Sequence, residues 1–231
     1  MTPFPELTDI ERLTRLQPRP GKLSIVLDTD TYNEVDDQFA LAHALLSPER
    51  LELEAIYAAP FHNACSDGPE DGMERSYEEI LRLLNFMGHS ADGLVFKGST
   101  HYLEPDTAEA SPAVYDLIKR ALTRPEGEPL YVVAIAAITN IANAILIEPK
   151  IINHIVVVWL GGHALHWPHA REFNLFQDVP AAQVLFNSGV PVVHIPCEGV
   201  TTHLQTTVSE LEHYLRGKNA LCDYLIDIVK D

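Results

Sequence analysis

The sequence is poor in cysteine and contains no long apolar run. Its three cysteines, Cys65, Cys197 and Cys222, lie far apart and form no CxxC pair. Scattered thiols in odd number indicate neither a disulfide framework nor a zinc site, and they fit a reducing compartment. No stretch approaches the roughly 20 apolar residues that span a bilayer, and the first residues lack the pattern of a secretion signal. These absences predict a cytoplasmic protein that does not contact a membrane.

Positive charge is also scarce. Lys and Arg number 16 against 33 Asp and Glu, which gives a formal net charge of −17. Phosphate groups are bound mainly by cationic side chains that displace counterions, so this balance argues against nucleic acid and anionic membrane surfaces as partners. Small neutral ligands and metal cations remain.

The composition is that of a globular protein. The chain has 231 residues, of which 46% are hydrophobic and 21% charged. A typical domain has roughly 150 residues, and no linker or repeat divides this chain. Residues 1–231 are therefore expected to form one domain.

Short apolar strands alternate with helices along the chain. The predicted strands are residues 23–27, 51–58, 94–96, 130–134, 155–160 and 192–195. Predicted helices begin near Asp36, cover 73–87, 111–122, 139–147 and 178–186, and end with two polar helices. This alternation predicts an α/β fold with an open, mostly parallel sheet and helices on both faces. Ligands of such sheets bind beyond the carboxyl ends of the strands.

An acidic loop follows the first predicted strand. Five carboxylates fall within ten residues, namely Asp28, Asp30, Glu34, Asp36 and Asp37. Capping of the next helix accounts for two of them at about 0.3–1 kcal/mol each, and surface charge is the other structural explanation. Because an apolar strand carries the loop into the interior, a cation is the better explanation. Oxygen ligands without His or Cys indicate Ca²⁺ or Mg²⁺, and a flexible group of carboxylates favours Ca²⁺.

Two enzyme families place Asp-x-Asp after an apolar strand. Asp28-Thr-Asp30-Thr31 resembles the signature of haloacid-dehalogenase-like phosphatases, which implies Asp28 as nucleophile and Asp30 as acid. That resemblance is short. Further acids come from a distant loop in those enzymes, whereas here an acidic pair follows at once.

A longer resemblance connects the chain to the inosine-uridine-preferring nucleoside hydrolases. Their opening Asp-x-Asp-Pro-Gly-x-Asp-Asp-Ala is mirrored by Asp28, Asp30, Asp36 and Asp37, with TYNEV and two extra residues in the loop. Four more blocks follow in the family's order, between residues 23 and 205. They are IYAAPFHN with Asn63, VVAIAAITNIA with Ile135, the block REFN with Glu172 and Asn174, and GVTTHL with His203.

The resemblance implies cleavage of the N-glycosidic bond of ribonucleosides, to ribose and free base, by a Ca²⁺-bound water. It implies Asp30 as general base and metal ligand, Asp37 as second ligand, and the backbone carbonyl of Ile135 as third. Asp28 would fix the conformation of the loop without contacting the substrate. Asn63 would lie near the ribose and the attacking water.

The remaining implied contacts are with the substrate. Asp36 would bind the 2′-hydroxyl, Glu172 the 5′-hydroxyl and Asn174 the 3′ side of the ribose. The two polar residues flank Phe173, and period-two alternation would direct both toward one side. The base would meet His166 and Trp167 in the loop after the fifth strand, although a solvated loop explains those residues equally well.

The end of the chain departs from the family pattern. Family members continue to a segment with a His-Asp or similar pair, and nothing after Val200 matches it. We therefore expect the C-terminal part of the site to be incomplete. A homodimer or homotetramer would cover the apolar surface left open. The alternative function is a catalytically impaired relative that binds nucleosides or ribose.

Overall fold

The computed structural model describes residues 4–17, 19–104, 107–125 and 127–231. The strands are β1 (Leu23–Thr29), β2 (Leu51–Ala58), β3 (Val95–Lys97), β4 (Leu130–Ala134), β5 (Ile155–Leu160) and β6 (Val192–Ile195). The helices are α1 (Asp9–Leu16), α2 (Asp36–Leu45), α3 (Pro69–Met87), α4 (Pro112–Leu122), α5 (Thr139–Ile147), α6 (Phe173–Gln177), α7 (Val179–Asn187), α8 (Val208–Leu215) and α9 (Ala220–Lys230). None of the helices in these ranges is long and apolar enough to cross a bilayer.

The six strands form one parallel sheet in the order β3-β2-β1-β4-β5-β6. The chain builds outward from β1 to β3, then returns to the other side of β1 and builds outward again to β6. Loops after β1 and β4 therefore leave the sheet in opposite directions and open a crevice between them. The predicted parallel α/β fold is confirmed, and its ligand crevice lies at the carboxyl ends of β1 and β4.

The core lies in two layers, one on each face of the sheet. Along β1, Val26 packs in the layer with α4, α5 and α7, whereas Leu27 packs in the layer with α2, α3 and α9. Along β2, Tyr57 and Ile56 divide in the same way. This period-two division is expected for a sheet with both faces covered, and each fully buried Leu or Ile contributes about 1.5–3 kcal/mol.

Two helices were not expected from the sequence. Helix α1 starts at a capping box in which Thr8 and Glu11 bond each other's backbone N–H, yet it buries no residue. Helix α6 covers only five residues, in the segment where alternation around Phe173 predicts extended chain. The predicted alternation is wrong, because Glu172 is the N-cap of α6 and Asn174 lies inside the helix.

Helix α3 begins at Pro69, four residues before the predicted start. Its fourth residue, Gly72, lies against the loop that follows β2, and a Cβ there would come within 2.0 Å of the Phe61 carbonyl oxygen. Only glycine allows this approach. The packing fixes the base of the loop that carries Asn63.

Candidate active site

The predicted site residues lie on loops at the carboxyl edge of the sheet. Asp30 follows β1, Asn63 follows β2, and Ile135 follows β4. Glu172 and Asn174 come after β5, and Asp36 and Asp37 form the first turn of α2. The parallel topology thus delivers residues that are far apart in sequence to one edge.

Asp30 is the most unusual of these residues. It is 1% exposed, and neither of its carboxylate oxygens has a hydrogen-bond partner in the described part of the chain. Burial raises the pKa of Asp30 well above its usual range, and the negative charge of Asp37 raises it further. A buried carboxylate without partners is costly, so this side chain is arranged for a ligand that the protein itself does not supply.

Asp37 is buried beside it. Its carboxylate accepts a hydrogen bond from the Thr29 hydroxyl, and Thr31 Oγ1 lies 2.9 Å from Thr29 Oγ1. Burial and the neighbouring charge of Asp36 raise the pKa of Asp37. Among the described residues no Lys or Arg forms an ion pair with these aspartates. The negative charge therefore has no cationic partner within the described ranges.

Asp28, at the end of β1, is completely buried. Its Oδ1 accepts a hydrogen bond of 2.8 Å from Asn140 Nδ2, while burial raises the pKa of Asp28 to about 7. Asn140 Oδ1 in turn accepts the N–H of Ser99 at 2.7 Å. A Cβ at Gly98 would lie 2.1 Å from the Ala58 carbonyl oxygen and 2.5 Å from Asn140 Nδ2, so the bridge depends on glycine there.

Asn140 therefore does more than the sequence indicates. Asn140 lies in the first turn of α5, a position where an Asn is usually read as stabilising its own helix, but its side chain joins the ends of β1 and β2 and the loop after β3. No sequence pattern marks a contact between residues 112 positions apart. The burial of Asp28 also argues against its use as a phosphatase nucleophile, which has to reach its substrate.

Ile135 and Asn174 meet at the crevice. The Ile135 N–H donates to the Asp28 carbonyl at 2.9 Å, which places residue 135 beside the end of β1. Its own carbonyl accepts from Asn174 Nδ2 at 3.0 Å, and the same amide donates to the Leu160 carbonyl at 3.1 Å. One lone pair of the Ile135 oxygen remains for a further ligand.

Glu172 binds backbone groups. Its carboxylate accepts the N–H groups of Gly162 at 2.6 Å and of Asn174 and Leu175 at 3.0 Å each. Gly162 has a φ of +69°, the left-handed region that favours glycine. Glu172 thus fixes the turn after β5 to the start of α6.

Asn63 connects two loops. Its Nδ2 donates to Asn33 Oδ1 at 2.5 Å, and its Oδ1 accepts the Cys65 N–H at 2.8 Å. An amide has two N–H donors and two lone pairs, so one donor and one lone pair stay available to a ligand. The loop after β2 is thereby attached to the acidic loop after β1.

His166 and Trp167 lie in the exposed loop after β5. Trp167 is 40% exposed and its ring centroid is 5.9 Å from that of His163. His163 anchors the loop, because its Nδ1 accepts the Glu198 N–H and its Nε2 donates to the Arg171 carbonyl. His203 is exposed in a separate 3₁₀ turn. The structure does not bring these side chains to the buried aspartates.

Several residues of this edge escaped the sequence interpretation. Thr29 and Thr31 alternate with Asp28 and Asp30 along residues 28–31. This alternation is the sequence signal that could have identified the two threonines. Tyr102 and Gln177, which bond each other beside the loop after β2, carry no such signal. No three His, Cys, Asp or Glu side chains are grouped for a metal in the described ranges, so any cation here would also need backbone, water or substrate oxygens.

A parallel α/β sheet with buried carboxylates in its crevice is the architecture in which α/β enzymes bind ligands at the carboxyl ends of the strands. A family model described as inosine-uridine preferring nucleoside hydrolase matches residues 25–231, and the chain belongs to that family. Membership assigns the chain to ribonucleoside hydrolysis as a class of function. The predicted family is confirmed, and the phosphatase alternative is not supported.

Individual relatives agree with this assignment. The chain is 27% identical to the pyrimidine-specific ribonucleoside hydrolase RihA of Escherichia coli O9:H4 (strain HS), over 90% of this chain and 73% of that protein. It is 29% identical to RihA of Salmonella enteritidis PT4 (strain P125109), over 90% and 70%. The solved purine-preferring ribonucleoside hydrolase from Gardnerella vaginalis superposes with a TM-score of 0.69 at 27% identity, over 90% and 71%.

Proposed function

We propose that this chain hydrolyses the N-glycosidic bond of ribonucleosides to ribose and free base, with the aid of a bound Ca²⁺. The observation that carries the proposal is Asp30. Both of its oxygens are buried without partners among the described residues, next to a second buried carboxylate, in the crevice between β1 and β4.

The donor atoms fit a hard cation. Asp30, Asp37 and the Ile135 carbonyl offer oxygen alone, which is the ligand type of Ca²⁺ and Mg²⁺. Ca²⁺ takes about six to eight oxygens, so water and ribose hydroxyls would complete its shell. When bound, the cation supplies an acidified water and a template for the ribose hydroxyls.

The protein's own residues perform the remaining steps of the proposal. Asp30 accepts the proton of the attacking water, a role open to it because neither of its oxygens has a partner among the described residues. Departure of the base leaves an oxocarbenium-like sugar, and the negative charge of Asp30 and Asp37 stabilises that positive charge. Asp28 orients the loop through Asn140.

Substrate contacts complete the proposal. Asp36, exposed at the start of α2, accepts a hydrogen bond from the 2′-hydroxyl. Asn63 binds the ribose or the attacking water through its remaining N–H and lone pair. Glu172 Oε1 accepts only one N–H from the described residues, which leaves it able to bind the 5′-hydroxyl, and Asn174 holds the 3′ side. His166 and Trp167, in the loop after β5, contact the base.

The central experiment measures release of reducing sugar from uridine and from inosine, because the relatives' names include both pyrimidine and purine preferences. We expect hydrolysis that requires Ca²⁺ and falls by at least about a thousandfold in Asp30→Asn. Asp92→Asn, which makes the same charge change at an exposed loop position, serves as control. Hydrolysis that persists in Asp30→Asn, or in excess chelator, would contradict the assignment.

Binding without turnover is the second candidate function. It is favoured by the small number of charged ligands, since no three His, Cys, Asp or Glu side chains of the described residues are grouped for a cation. Calorimetry separates the two candidates. Heat of ribose or uridine binding with no sugar release over hours would favour the binding protein.

We further propose that the chain forms a homodimer or homotetramer. Large apolar side chains stand free at the carboxyl edge of the sheet, with Leu165 99% and Leu204 92% exposed. These side chains are the candidate centre of an interface, since a contiguous apolar patch marks surfaces that associate.

A further inference from the structure

Gln177, the last residue of α6, contacts two loops of the site at once. Its Oε1 accepts the N–H of His62 at 2.8 Å and a hydrogen bond from the Tyr102 hydroxyl, while its Nε2 donates to the His62 carbonyl at 3.0 Å. One side-chain amide is therefore paired with both backbone groups of a single residue, as a neighbouring strand would be. The loops after β2 and β3 meet at this amide.

The contact continues into the acidic loop. His62 directly precedes Asn63, and Asn63 donates to Asn33 Oδ1, three residues beyond Asp30. On the other side, the Leu103 N–H donates to Asp178 Oδ2 at 2.8 Å, so two successive residues join the loop after β3 to the junction of α6 and α7. Asp178 is itself held by Thr139 and by the Ala181 N–H. Gln177 thus connects a rigid part of the fold to the loop that bears Asn63.

Removing the side-chain amide of Gln177 should affect the order of the loop after β2 more than the free energy of unfolding. His62 is exposed, so its backbone groups would find water if the amide of Gln177 were removed, and the half-buried Tyr102 hydroxyl is the one other group of the described residues that would lose a bond. The free energy of unfolding should therefore fall only slightly. The loop, however, loses the two bonds that fix residue 62, and a surface loop without such bonds samples many conformations.

We propose that Gln177 is a positioning residue that holds the loop after β2 so that Asn63 faces the acidic crevice. Its action goes through the backbone of His62, with Tyr102 fixing the orientation of the amide. The structural half of this inference, that Gln177 orders the loop after β2, stands alone. Its kinetic half, that this order supports catalysis, rests on the proposed hydrolysis.

Hydrogen–deuterium exchange tests the structural half. Gln177→Met keeps the length of the side chain and removes both the donor and the acceptor, and Gln183→Met makes the same change on the exposed face of α7. Backbone amides of residues 59–66 are expected to exchange about tenfold faster in Gln177→Met and to be unchanged in Gln183→Met. Tyr102→Phe, which removes one hydroxyl, should accelerate exchange by a smaller factor. Equal exchange in the 177 and 183 variants would overturn the proposal.

Kinetics test the second half. In Gln177→Met we expect kcat/KM for uridine or inosine to fall about tenfold at a temperature where circular dichroism shows full folding. Ca²⁺ affinity should stay within about twofold, because none of its proposed ligands contacts Gln177. A parallel fall in Ca²⁺ affinity, or no fall in kcat/KM, would overturn the positioning role. If the unmodified chain releases no ribose, the proposed hydrolysis fails while the exchange measurement still decides the role of Gln177.

Discussion

At the scale of single residues, some aspartates of the site have hydrogen-bond partners and one has none among the described residues. Thr29 and Asn140 each bond one aspartate, whereas both oxygens of Asp30 stay unpaired within the described ranges. The sequence predicted which acids gather here, because they are adjacent along the chain. It did not predict the contacts between distant residues, since Asn140 reaches Asp28 across 112 positions and Gln177 reaches His62 across 115.

The pKa of Asp28 predicts a pH dependence of stability. Burial raises that pKa from 3.8 to about 7, so the folded state binds the proton more tightly than the unfolded state does. The stabilising contribution is complete below about pH 4 and is lost as the pH rises to about 7. In chelator, the free energy of unfolding should therefore decline more steeply over this window in the unmodified chain than in Asp28→Asn.

The difference between the two proteins should reach up to about 4 kcal/mol at pH 7, at about 1.4 kcal/mol per pKa unit. The new amide in Asp28→Asn keeps an oxygen that accepts from Asn140, so the hydrogen bond survives. Urea denaturation at a series of pH values measures the effect, with Asp92→Asn as the charge-matched control. Parallel pH profiles for the unmodified chain and Asp28→Asn would contradict this prediction.

At the scale of elements, periodicity predicted the six strands and most of the helices, because burial on two faces imposes it. The helix predicted from residue 178 begins there, with Asp178 as N-cap bonded to the Ala181 N–H and Pro180 in the first turn. Helices α1 and α6 were missed for different reasons. Helix α1 is only eight residues long and buries none of its apolar side chains, and α6 is shorter than two helical turns.

The junction of β2, β3 and α5 depends on a glycine. Gly98→Ala would push a methyl group into the Ala58 carbonyl and the Asn140 amide, and we expect it to cost about 3 kcal/mol of unfolding free energy. Gly68→Ala is the matched control, because a Cβ there meets nothing within 4 Å and its φ of 162° is extended backbone. Chemical denaturation compares them. Equal stability of the two variants would show that Asn140 can move aside at no cost.

At the scale of the whole molecule, strong negative charge coexists with exposed apolar side chains. The formal net charge of −17 opposes association of copies, and salt screens that repulsion. Leu165 and Leu204, both on loops that follow strands, stand almost fully in solvent. The proposed dimer or tetramer should therefore strengthen as salt is added.

Light scattering coupled to size exclusion tests this. The expected mass is two or four times 25.7 kDa, shifted toward the larger species between low salt and about 0.3 M salt. Leu165→Ser should weaken association, whereas Ile10→Ser, an equally apolar exposed position on α1, should leave it unchanged. A mass of 25.7 kDa at every salt concentration would contradict the proposal.

The middle place of β1 in the sheet has one more consequence. The same seven-residue strand supplies Val26 to one core layer, Leu27 to the other and Asp28 to the acidic crevice. Mutational drift in it would damage folding and chemistry together, so substrate preference has little room to diversify there. If His166 and Trp167 contact the base as proposed, adaptation to new nucleobases falls to the exposed residues 165–169, where exchange of side chains leaves the interior intact.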